Sequence, residues 1–254
     1  MTSLEVIALP GLPLISPGDD LVELIASALK RQDVAPRPGD VLVVAQKIVS
    51  KAEGRVVDLA TIEPSAKARA LAADVDKDPR LVEVILSESV RVVRARRGVL
   101  IVEHRLGFIM ANAGVDQSNV ASAEGSPRAL LLPKDPDRSA EALRRGLEAA
   151  TGIDLAVVIN DSFGRPWRQG TAGVAIGVAG LPAMVDLRGR PDLFGRKLEA
   201  SVVGFADEIA AAASLLMGQA DEALPVVVIR GLRWAAPEST AASLLRPANE
   251  DLFR

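Results

Sequence analysis

The chain of 254 residues contains no cysteine and no tyrosine, one histidine, and only 3% aromatic residues. Without cysteine there is no disulfide, no thiolate nucleophile and no cysteine-ligated zinc. A Ser-His-Asp triad, a histidine general base or a histidine-rich metal site would have to run through His104 alone. That residue lies in "IVEHRLG", between two predicted strands, and reads as a polar strand-edge side chain. No uncharged apolar run is long enough to span a membrane, and no basic segment leads into an apolar one at the N-terminus. A soluble, cytoplasmic protein is therefore expected. The net charge of −3 and a pI near 5.4 give no general attraction for nucleic acid or an anionic membrane. Neither G-x-x-x-x-G-K-[ST] nor G-x-G-x-x-G occurs, so no glycine-rich cradle supplies a phosphate site. A phosphate would have to be held by lysines, a metal or scattered backbone amides.

What is present points to a folded, aliphatic core. Hydrophobic residues make up 49% of the chain and charged residues 25%, and the length allows one large domain or two subdomains. "SLEVIALPGLPLI" predicts a strand that stops at Pro10-Gly11. Leu21, Leu24, Ile25, Ala28 and Leu29 then recur at helical spacing after Ser16 or Asp19 as cap. Val41 to Val44 form a continuous apolar strand that runs into polar Gln46, Lys47 and Lys51. Helices are predicted at about 64 to 75 and 79 to 89, and an antiparallel meander covers "VRVVRARRGVLIVEHRLGFIMANAG" with Arg91, Arg94, Arg96 and Arg97 at a solvated tip. A helix with Asp137 as cap and Gly152 as stop precedes the buried strand "DLAVVIN". The glycines at 170, 173, 177 and 180 suit close backbone packing. "VVGFADEIAAAASLLMGQA" is a long helix, "LPVVVIRG" a last strand, and 235–254 a peripheral segment. The irregular alternation of strands and helices, with at least one antiparallel section, makes the fold class α+β or mixed α/β, with mixed sheets.

Two buried strands end in acidic turns, "ANAGVDQSN" and "VINDSFGRPWRQG". A single Asp after a strand is ordinarily a turn residue. If the two strands lie side by side, Asp116 and Asp161 converge, and two aspartates without histidine suit a hard cation, with Ser162 adding a hydroxyl. Lys47 and Lys51 face either a phosphate or solvent. Arg165 and Arg168 carry guanidinium groups suited to carboxylate or phosphate. Trp167 between them covers the core or stacks on a flat ring, and the covering role comes first.

Taken together, "GLPLI" (11 to 15), "GDDL" (18 to 21), "GDVLVVAQKIVSKAEGR" (39 to 55), "NAGVDQSNV" (112 to 120), "LLLPKDPDRSA" (130 to 140), "VVINDSFGRPWRQG" (157 to 170), "AIGVAGL" (175 to 181), "DLFGR" (192 to 196), "ADEIAAAASLLMG" (206 to 218) and "PVVVIRG" (225 to 231) resemble the coenzyme F420:L-glutamate ligase family, also called F420-0:gamma-glutamyl ligase. The resemblance implies a ligase domain over 1–245 of two interlocked α/β subdomains, with 246–254 as tail or linker. It implies GTP as co-substrate, L-glutamate and coenzyme F420-0 as partners, Mg²⁺ or Mn²⁺ as a pair of ions, K⁺ as a favoured monovalent ion, and a homodimer. On the matching positions, Asp116 and Asp161 would bind metal and Ser162 would serve a second ion. Leu12, Pro13, Leu14, Ile15, Gln46, Lys47, Lys51, Asn119 and the segment Met217, Gly218, Gln219, Ala220, Asp221, Glu222, Ala223, Leu224 would form the GTP site. Asp116, Asp161, Lys51 and Arg165 would carry the catalysis. Gln46 stands where some members have a small hydroxyl residue, and Ser162 where threonine is common. A glutamyl ligase for a folate or other pterin, and a non-catalytic metal-nucleotide module, are the alternative readings.

Overall fold

The computed structural model describes residues 3–120 and 126–252. In chain order the elements are β1 (Glu5–Ala8), α1 (Leu21–Arg31), β2 (Val41–Ala45), α2 (Gln46–Ala52), β3 (Val56–Asp58), α3 (Ala66–Val75), α4 (Pro79–Ser87), β4 (Ser89–Arg96), β5 (Val99–His104), β6 (Ile109–Ala111), β7 (Arg128–Leu130), α5 (Pro136–Thr151), β8 (Ala156–Arg165), β9 (Arg168–Ala179), β10 (Val185–Asp186), β11 (Val202–Val203), α6 (Phe205–Met217) and β12 (Val226–Arg230). The fold is α+β with mixed sheets. A central sheet has the order β1-β12-β2-β8-β9, in which β2 and β8 are parallel and every other neighbour is antiparallel.

The unbroken apolar runs follow from burial on both faces of that sheet. Along β2, Leu42 and Val44 face one core with α1 and α5, whereas Val41 and Val43 face another with α6. β8 and β12 divide in the same way, with Val157, Ile159, Val226 and Val228 on the first side and Val158, Val227 and Ile229 on the second. Each such side chain taken fully out of water contributes about 1.5–3 kcal/mol. A third core joins α3 and α4 to β5 through Ala68, Val75, Val82, Ile85, Leu100 and Val102. The remaining sheets are β4-β5-β6, β3-β7 and β10-β11.

Several local expectations shift. The cap of α1 is Asp20, whose carboxylate accepts the Val22 and Glu23 amides, while Asp19 accepts from Ser16. Asp135 caps α5, which frees Asp137 to tie the Val178 and Ala241 amides to the core. Ala241 is buried, so this part of 235–254 is packed rather than peripheral; residues 253 and 254 of the tail lie outside the described residues. The stretch after β2 is a helix, because its apolar Ile48 and Val49 turn into the core beside buried Gln46 and Ser50. His104 is fully buried: its Nδ1 accepts the Leu106 amide, and Nε2 sits 3.5 Å from Glu88. Hydrogen bonding to His104, then Arg105, with the Arg55 charge nearby, holds Glu88 down to about 2. Glycine is required where β9 meets its helices: a Cβ at Gly177 would overlap the Pro136 carbonyl, and one at Gly173 would lie 2.6 Å from the Ala210 carbonyl oxygen. Among the described residues no helix is long and apolar enough to cross a membrane.

Candidate active site

The parallel pairing of β2 with β8 builds the site. Ala45 lies opposite Asn160, so the end of β2 delivers Gln46 beside Asp161 of the longer β8. Successive strand residues face opposite sides. Asn160 accordingly turns toward α6, donating to the Ser214 hydroxyl at 3.0 Å and the Met217 sulfur at 3.3 Å, whereas the Gln46 carboxamide lies near the Asp161 carboxylate and acts to lower its pKa. Ser50 donates to Gln46 at 2.9 Å and fixes it one turn into α2. Lys47 and Lys51 share a face of α2 at i and i+4.

The third wall is the turn after β6. Asn112, Ala113 and Gly114 all have positive φ, and this tight reversal brings the chain back alongside β7. There Asp116 exchanges backbone hydrogen bonds with Leu130 at 3.0 and 2.7 Å, which fixes the base of its side chain. Its carboxylate accepts the Ser118 amide and hydroxyl, both at 2.8 Å, and pairs with Lys47 at 2.6 Å. Three residues on, Asn119 donates to the Ala220 carbonyl at 3.1 Å and closes the turn against the loop after α6. That loop is held by Glu222, which accepts the Ala220 amide at 2.8 Å beneath Gly218.

These segments enclose a cavity of about 970 Å³. It is lined by Leu12, Pro13, Leu14, Ile15, Gln46, Lys47, Lys51, Asp116, Asn119, Asp161, Ser162 and every residue from Met217 to Leu224. Arg165 is not brought in. β8 does not stop at Asp161 but continues alongside β9, with a register shift just before Arg165, which lies about 13 Å further out along the strand. It bonds the Gln169 carbonyl in an exposed hairpin end, and Trp167 there is 87% exposed with φ of 62°, so it does not cover the core. Sequence reasoning missed Ser118, Asn160 and Arg128, which also line the cavity. Ser118 was legible as the i+2 partner of an Asx turn on Asp116; nothing marked Asn160 or Arg128.

The electrostatics are uneven. Burial pushes Asp161 up to about 6, with the Asp116 charge adding to the rise and the Ser162 amide, Lys47 and Gln46 opposing it. Burial acts the same way on Asp116, yet Lys47 and both Ser118 donors win and hold it below the ordinary carboxylate range. Lys51 is lowered by burial and then by Lys47. Two carboxylates and the Ser162 hydroxyl are hard oxygen ligands, and they fit Mg²⁺ or Mn²⁺ better than a soft ion. Among the described residues no three His, Cys, Asp or Glu side chains gather into a site able to hold a metal. The oxygen set is therefore an incomplete shell, of the kind Mg²⁺ completes with water and phosphate.

A family model described as F420-0:Gamma-glutamyl ligase matches residues 11–231. The chain belongs to that family. A protein of Methanothermobacter thermautotrophicus named coenzyme F420:L-glutamate ligase is 48% identical over 253 residues, covering 99% of each chain. Proteins of the same name from Methanopyrus kandleri and Archaeoglobus fulgidus are each 46% identical, covering 94% and 98% of this chain and 93% and 96% of their own. Membership of the F420-0:gamma-glutamyl ligase family makes this chain a ligase, and the cavity at the β2-β8 edge is its candidate active site.

Proposed function

We propose that this ligase forms an amide between L-glutamate and the terminal carboxylate of coenzyme F420-0, extending it by successive γ-linked glutamates, at the expense of GTP. A carboxylate is a poor acylating agent. The γ-phosphoryl group of GTP would first pass to the acceptor carboxylate and leave GDP. The glutamate α-amine then attacks the acyl carbon, loses a proton and expels phosphate. No covalent enzyme intermediate is required, which agrees with a chain that has no cysteine and whose one histidine is buried away from the cavity.

Asp116, Asp161 and Ser162 would hold Mg²⁺ or Mn²⁺, two ions by the family resemblance, and these would neutralise charge on the β- and γ-phosphates. Gln46 orients the Asp161 carboxylate, and Asp116 is fixed by its bridge to Leu130. Lys47 and Lys51 supply positive charge to the triphosphate from one helix face. The segments 12–15 and 217–224, tied to Asn119, enclose the nucleoside. Arg165 lies outside the cavity of this chain, and no step of the reaction as written is assigned to it. K⁺ as an activating ion and a homodimeric state come from the resemblance and complete the proposal.

The observation that carries it is the meeting of Asp116, Asp161, Lys47 and Lys51 in one cavity large enough for a nucleotide. Purified protein is incubated with GTP, L-glutamate, Mg²⁺ or Mn²⁺ and either F420-0 or a folate, and products are read by mass spectrometry. F420-0 carrying added glutamate, with one GDP per amide, is expected. Equal GTP hydrolysis without acceptor, or glutamylation of the folate alone, would overturn the assignment.

A further inference from the structure

Lys47 makes the closest contact in the cavity, and it is to a proposed metal ligand. Its Nζ lies 2.6 Å from Asp116 Oδ2 and 2.6 Å from Ser118 Oγ. The Ser118 hydroxyl donates to the same Oδ2 at 2.8 Å, and the Ser118 amide occupies Oδ1 at 2.8 Å. The carboxylate is thus already served by an ammonium group and two neutral donors. A divalent ion binds a carboxylate oxygen at about 2.0–2.1 Å, and an ammonium group on that same oxygen would face it as a second cation at close range. Lys47 and the Ser118 hydroxyl take both lone-pair positions of Oδ2, so a metal there must displace one of them, and the ammonium group is the one it repels.

The balance of charge in the cavity decides which cation keeps it. The charged side chains lining the cavity are Lys47, Lys51 and Arg128 against Asp116, Asp161, Asp221 and Glu222, a net charge of −1. A bare divalent ion turns this set positive, and a bare triphosphate makes it strongly negative. A triphosphate bringing its own divalent ions leaves it near neutral and offers Lys47 a new anionic partner. The Lys47 side chain, 29% exposed on a flexible stem, is free enough to make that exchange.

We propose that Lys47, braced by Ser118, holds the place of the divalent cation on Asp116 and yields it only when metal arrives with the nucleotide phosphates. This rests on the proposed nucleotide and metal site and adds to it an order of entry: free metal is kept off Asp116, and the nucleotide is the key that releases it. Ser118 is a positioning residue, its hydroxyl accepting from the ammonium group and donating to the Asp116 carboxylate.

The test reads protein-bound Mn²⁺ by equilibrium dialysis across a membrane that passes both the free ion and its nucleotide complex, with and without a non-hydrolysable GTP analogue. In the wild type the analogue is expected to tighten Mn²⁺ binding by at least about tenfold, the scale of one partly exposed charge contact. Lys47→Met is expected to bind Mn²⁺ alone about tenfold more tightly than wild type and to gain less from the analogue. Lys47→Arg keeps the cation and restores weak binding of the free ion, Ser118→Ala tightens it by a smaller factor, and adding Asp116→Asn to Lys47→Met removes the gain. Lys47→Met binding free Mn²⁺ no more tightly than wild type, while wild type still forms the Mn²⁺-analogue complex, overturns the place-holder and leaves the nucleotide site standing. Failure of wild type to form that complex overturns both.

Discussion

Replacing Asp161 by Asn is expected to make the metal-free protein more stable at pH 8. The carboxyl is pushed from the usual 3.8 up to about 6, chiefly by burial. The folded chain therefore holds this proton more tightly than the unfolded chain does. The stability attached to the group is complete below about pH 4 and is lost as pH rises through 6. A rise of that size corresponds to about 3 kcal/mol, and discounting for the half-buried setting leaves about 2 kcal/mol of destabilisation at pH 8. Asparagine keeps the shape without the charge, so it recovers that amount, or about 5 °C in melting temperature for a chain of this length. The assay is thermal denaturation with chelator present, at pH 4 and at pH 8. The variant should melt higher at pH 8 and match wild type at pH 4. Adding Mg²⁺ and nucleotide should reverse the order, because only the wild type then gains binding energy. A variant that melts at or below wild type at pH 8, or a difference that does not change with pH, refutes the claim that this carboxylate is held against its own electrostatics for the sake of function.

Three further outcomes are expected. Asp116→Ala and Asp161→Ala should each lower amide formation by at least about a hundredfold with an unchanged circular dichroism spectrum, since neither side chain packs the core; normal turnover in either would remove it from the reaction. Lys51→Met should weaken nucleotide binding by about tenfold in calorimetry, and equal affinity would remove this lysine from the nucleotide site. Gly177→Ala should lower unfolding free energy by about 1–3 kcal/mol in a denaturant titration, because β9 and the start of α5 must separate to admit the methyl group; an unchanged midpoint would mean that the contact yields freely.

Sequence periodicity carried much of the fold. The Val-rich runs of β2, β8 and β12 were legible as buried strands because both their faces are covered, and α1 was legible because only one of its faces is. What stayed hidden was decided by partners distant in the chain. "NDSFGR" reads locally as a turn, yet pairing with β9 extends β8 through it and strands Arg165 and Trp167 at an exposed tip. "QKIVSKA" reads as the polar end of a strand, yet the burial of Ile48 and Val49 coils it into α2. The choice of Asp20 over Asp19, and of Asp135 over Asp137, rests on backbone angles that adjacent acidic residues do not reveal. The site segments were named by resemblance. Their meeting in space depends on β2 lying parallel to β8, a pairing with no signature in either strand.

That pairing has an evolutionary corollary. Since Ala45 is matched to Asn160 and side chains alternate, deleting one residue from β8 before Asn160 would send the carboxylate of 161 to the α6 face and put a carboxamide in its stead, and deleting one from β2 would displace Gln46 from beside it. Length changes among relatives should therefore collect in the connections and spare these two short stretches, which work together as a molecular ruler.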